Sequence, residues 1–116
     1  MNGRIDIQIS KDITPFLEGA FTFVALQSTI NSVYSSDFSP FDLKKRFSSS
    51  IKEGIDFKFQ ANKDELKLIL DLTRTLMSNQ QFMSLKERED CNLKGFSNYI
   101  DKQVEHYKML YINSYF

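Results

Sequence analysis

The chain has 116 residues, with 15 Lys and Arg against 15 Asp and Glu, a formal net charge of zero, one His, one Cys and no Trp. This length predicts one domain over residues 1–116, and hydrophobic and charged shares of 41% and 26% exclude wholesale disorder. A lone Cys excludes an internal disulfide framework, and zero net charge removes the bulk electrostatic case for a nucleic-acid or anionic-membrane partner.

Arg4–Ser10 alternates Ile5, Ile7 and Ile9 with polar residues, the period-two, β-branched pattern of a half-buried strand. A helix is expected from Asp12 to Tyr34, with Pro15 in its first turn and Phe16, Leu17, Ala20, Phe21, Val24 and Ala25 on neighbouring apolar stripes. Phe16–Leu26 is the longest apolar stretch. Glu18, Gly19 and Thr22 interrupt it, so it is too short and too polar to span a bilayer.

Ser39-Pro40-Phe41-Asp42 reads as a helix start, with Ser39 as cap, Pro40 at the first position and Asp42 reaching back. That helix runs through Leu43, Phe47 and Ile51 to a stop at Gly54. Ile55–Phe59 alternates again and is the second expected strand. Asn62 and Glu65 form a capping-box pair opening a helix to about Ser78, with Leu66, Ile69, Leu70, Thr73, Leu76 and Met77 as its core stripe. Asn79–Phe82 breaks the pattern, Ser84–Asp90 reads as a short solvated helix, Gly95 breaks the chain again, and Ser97 caps a final helix toward the C-terminus. The expected fold is α+β: a mostly helical single domain around a small two-stranded or mixed sheet, in the order β-α-α-β-α-(α)-α. Strand direction stays open, because the long connection permits a parallel or an antiparallel pair.

The search for chemistry returns little. Zinc, copper and iron sites need several converging His, Cys or carboxylate ligands, and His106 and Cys91 fall in separate expected segments. Asp90 beside Cys91 would raise the thiol pKa. Gly3, Gly19, Gly54 and Gly95 are too scattered for a phosphate-cradling loop. No enzyme, cofactor or metal is expected, and the expected location is the cytoplasm, with no membrane association.

What remains is surface. Leu68 and Leu72 lie off the main stripe of their helix and are either sandwiched in the domain or placed at a homodimer interface. Phe38 and Phe41 flank the second helix start, where a hydrophobic staple is the simpler reading. Tyr111, Tyr115 and Phe116 make an aromatic C-terminal segment that either closes its own core or meets a partner. The first strand is either paired with the second or left open for β-augmentation. The leading expectation is a small non-catalytic protein-binding protein of the inhibitor, immunity or adaptor kind, such as phages and mobile elements carry. The alternative is a nucleic-acid-associated regulator gripping phosphates with Lys44, Lys45, Arg46 and Lys52.

Overall fold

A computed structural model describes residues 3–26 and 38–111. Their elements are β1 (Ile5–Ile9), α1 (Thr14–Leu26), α2 (Pro40–Ser50), β2 (Phe57–Ala61), α3 (Lys63–Ser78), α4 (Leu85–Asp90) and α5 (Leu93–Tyr111). This is the expected α+β order, with one small sheet.

β1 and β2 pair antiparallel, Ile5 opposite Ala61 and Ile9 opposite Phe57. Side chains alternate across a strand, so Ile5, Ile7 and Ile9 join Phe57, Phe59 and Ala61 on one buried face, while Asp6, Gln8, Lys58 and Gln60 face outward. The second strand begins two residues later than its alternation suggests. Ile55 is exposed, because the turn closed by its N–H on the Lys52 carbonyl runs through it, with Gly54 in the left-handed region at φ 77°. The period-two pattern runs from Ile55 to Ala61, and alternation alone does not mark which five residues are paired.

Two tyrosines of α5 bond the backbone of β1 and of the residues just before it. The Gln8 N–H donates to the Tyr99 hydroxyl at 2.9 Å, and the Tyr107 hydroxyl donates to the Gly3 carbonyl at 2.8 Å. Tyr111 stacks on Tyr107 with ring centres 4.7 Å apart and lies so close over Gly3 that a Cβ there would overlap its ring. On the far edge of the sheet, Arg46 of α2 donates to the Gln60 carbonyl at 2.6 Å. Gln8 and Gln60 belong to the same class of cross-strand pair, whose backbone groups point away from the partner strand. A helix side chain therefore bonds one outward backbone group on each edge.

One core serves all the major elements. At its centre Phe47 meets Phe21, Phe57 and Phe59 with ring centres 5.0, 5.6 and 5.4 Å apart. α3 packs against α1, α2, β2 and α5, which explains its broad apolar surface. Leu68 and Leu72 are 4% and 3% exposed, inside the domain. Asn62 and Glu65 form the expected capping box, with each side chain bonded to the other's backbone N–H.

α5 differs from its expected start. It begins at Leu93 and not after Ser97, and Gly95 lies inside its first turn. The cap is Asn92, whose Oδ1 accepts the Gly95 N–H at 3.3 Å. A Cβ on residue 95 would strike the Asn92 side-chain amide, so the glycine admits the cap instead of breaking the helix. α1 is described as far as Leu26; the expected stretch to Tyr34 lies outside the described residues.

Candidate functional site

Among the described residues, the buried side-chain nitrogens without a hydrogen-bond partner lie at the α4–α5 corner. Ser84 opens α4 with a capping box: its Oγ accepts the Glu87 N–H at 3.1 Å, and the Glu87 carboxylate accepts the Ser84 N–H at 2.9 Å. Cys91 closes α4, and Asn92 follows with φ 53°, left-handed. Asn92 thus reverses the chain and caps α5 in one step; Asn tolerates this conformation better than most residues.

This turn directs Arg88 inward. Its Nε and Nη2 are shut off from solvent and have no hydrogen-bond partner, and no ion pair forms to it among the described residues. The acids beside it in sequence, Glu87, Glu89 and Asp90, are exposed. Residues one and two apart do not share a helix face, so proximity in sequence supplies no partner. Leu85, three residues earlier, does share the face of Arg88 and is 61% exposed. Met77, Leu85 and Leu93 provide the apolar walls of a groove of about 350 Å³ in which Arg88 and Lys94 are the cations and Glu89 the one acid.

A second cavity of about 390 Å³ lies across Asn92, and Cys91, Tyr99, Asp56 and Gln8 are among its lining residues. Burial pushes the Cys91 thiol above its ordinary pKa, and Asp12, Asp90 and Glu87 add to the rise against one backbone hydrogen bond. The protonated thiol is a poor nucleophile at neutral pH. His106 is exposed, roughly 20 Å along α5 from its start, so the one Cys and the one His do not meet. No group of three or more His, Cys, Asp or Glu converges among the described residues, and no helix among them is long and apolar enough to cross a membrane.

The basic cluster does not act as one patch. Arg46 spends its guanidinium on the Glu65 carboxylate and the Gln60 carbonyl, and it stacks over Phe59 at 4.5 Å. Glu65 is 5% exposed and also accepts from Arg4 Nε at 3.2 Å, so it joins the residue leading into β1 to α2 and α3. Lys44 and Lys45 remain on α2, with Lys45 Nζ 5.8 Å from the Phe41 ring centre, while Lys52 lies in the following turn.

The aromatic and aliphatic candidates separate in the same way. Leu68 and Leu72 present no surface, because α3 is sandwiched within the domain. Phe38 packs partly against the core, whereas Phe41 is 56% exposed on the outer side of α2. Tyr111 folds back onto Gly3 and Tyr107. Tyr115 and Phe116 lie outside the described residues. Sequence reasoning passes over Leu85 and Arg88, because the charge density of Ser84–Asp90 reads as a solvated face. The usable signal is their spacing of three, which puts an apolar residue and a cation on one face.

Against known proteins, no family model, no curated protein and no solved structure matches the chain.

Proposed function

We propose that this chain is a small non-catalytic protein-binding protein, an inhibitor, immunity or adaptor factor acting in the cytoplasm, of the kind that phages and mobile elements carry. The observation that supports this reading is the pairing at the α4–α5 corner of exposed Leu85 with Arg88, which has two buried, unbonded nitrogens and no ion pair among the described residues. Arg is enriched among the residues that anchor interfaces, and Leu85 adds exposed apolar area beside it. Asn92 and two helix caps hold both residues, so the surface is preformed and loses little freedom on docking. The mechanism is steric: the corner covers a functional surface of the partner.

The test is capture of tagged protein from its native lysate, with and without nuclease, comparing the natural chain with Leu85→Glu. One stoichiometric protein that survives nuclease and is lost with Leu85→Glu supports the reading. Material that vanishes with nuclease, or a protein partner indifferent to residue 85, overturns it.

A further inference from the structure

We propose that the groove beside Arg88 receives a carboxylate from the protein partner, carried on a segment that places Asp or Glu next to a bulky apolar side chain. This deepens the protein-binding reading above and rests on it.

Three observations select that chemistry. First, Arg88 has two nitrogens closed off from water and unbonded. A guanidinium partly stripped of solvent without a counter-charge is a costly arrangement, and a carboxylate in the groove that Arg88 lines offsets its charge. Nε and Nη2 are as closed to a carboxylate oxygen as to water, so the carboxylate meets Arg88 through the part of its side chain that lines the groove. Second, the walls are apolar. Met77, Leu85 and Leu93 flank the cation, and about 350 Å³ lies at the lower end of the range of small-ligand pockets. There is room for one large side chain and one carboxylate. Third, the charge balance is small. Arg88 and Lys94 against Glu89 leave a net of one positive charge among the lining residues. That balance suits a single carboxylate and disfavours a polyanion such as nucleic acid, which gains from many cations. The acids nearest in sequence do not compete: Glu87 is held by the Ser84 N–H, and Glu89 and Asp90 make no ion pair with Arg88.

The experiment is an NMR titration of the isotope-labelled full chain with the blocked peptide acetyl-Leu-Glu-Leu-amide and its Gln counterpart. The Glu peptide is expected to shift the Arg88 Nε–H signal and the amides of Leu85, Asn92 and Leu93 saturably, and to bind about tenfold tighter than the Gln peptide. Arg88→Leu should erase that preference. Arg88→Lys, which keeps the charge and adds no apolar surface, should retain part of it and guards against a folding defect in the first variant. Equal response to the two peptides, or shifts elsewhere on the chain, overturns the proposal. Free octanoate provides a further arm: tighter binding than the Glu peptide, dependent on Arg88, would assign the groove to a free fatty carboxylate and overturn the protein-segment assignment. The two readings fail separately. Lysate capture that survives Arg88→Leu but not Leu85→Glu leaves the docking surface standing and removes the carboxylate. Peptide binding without any captured protein removes the protein-binding function.

Discussion

The Tyr99 hydroxyl accepts the Gln8 backbone N–H at 2.9 Å, so a side chain from α5 takes the place that a third strand would occupy beside β1. A two-stranded sheet is marginal alone and its edges invite pairing with other chains. Tyr99 meets that edge with a single polar atom on a rigid aromatic stem, and Tyr107 holds Gly3, two residues before the strand.

Tyr99→Phe keeps the ring and removes the acceptor. Stability should fall by about 0.5–1 kcal/mol, the modest range expected for one hydrogen bond near the surface. Amide exchange at Gln8 should accelerate, and its NMR-measured protection decides the point. Unchanged protection would mean that the hydroxyl does not seal the edge.

Glu65 links α2, α3 and the residue leading into β1 through one carboxylate. Glu65→Ala removes the reciprocal cap and leaves Arg46 and Arg4 without their acceptor, and should cost about 2–4 kcal/mol. Glu65→Gln preserves the cap geometry and should cost less, since Gln also serves in a capping box. Urea unfolding of both variants checks the order. Equal losses would show that the charge, and not the cap, dominates.

Leu72→Ala tests the placement of that leucine inside the domain. Removing a buried Leu should destabilise by about 2–5 kcal/mol. Sedimentation should show the same association state before and after. A change of association state without loss of stability would return Leu72 to an interface.

Gly54 sits at φ 77°, and a Cβ added to it would meet nothing within 4 Å, so the penalty for a side chain there comes from the backbone. Gly54→Ala should lower stability by about 1–2 kcal/mol, and Gly54→Asn by less, as Asn visits the left-handed region more readily. Thermal melts compare the two.

Cys91 gives a pH dependence with a definite sign. Burial raises its pKa in the folded chain above the ordinary 9.0, so the unfolded chain loses the thiol proton first. The stabilisation is fully present below pH 9 and is lost as pH rises through the folded value. Tyr107, whose phenol burial also raises it above 10.0, continues the decline at higher pH. Denaturation at pH 7, 9 and 10 should show falling stability, and Cys91→Ala should flatten the first part of that fall.

The strands and caps are legible because each rests on local spacing. Ile5, Ile7 and Ile9 alternate, Asn62 and Glu65 stand three apart, and Ser39 precedes Pro40. The second strand's start is not, because Ile55 and Phe57 share one parity and the turn at Gly54 decides which is paired. The start of α5 is hidden for a tertiary reason: Gly95 carries a breaker's signal, yet the Asn92 side chain fills the space a Cβ would need. Of the candidate surface, Phe41 is visible as an exposed aromatic. The fate of Arg46 depends on Glu65, 19 residues away in sequence, and the isolation of Arg88 on which way α4 faces.

The cover on β1 arrives late. Gln8 and Tyr99 are 91 residues apart, and β2 also follows β1 only after two helices. At a ribosomal pace of about 5–20 residues per second, β1 emerges roughly 5 to 20 seconds before the helix that carries Tyr99. During synthesis the nascent chain therefore carries an open, isoleucine-rich strand. Its vulnerability to aggregation and its demand for chaperones should depend on translation speed, far more than the stability of the finished fold would suggest.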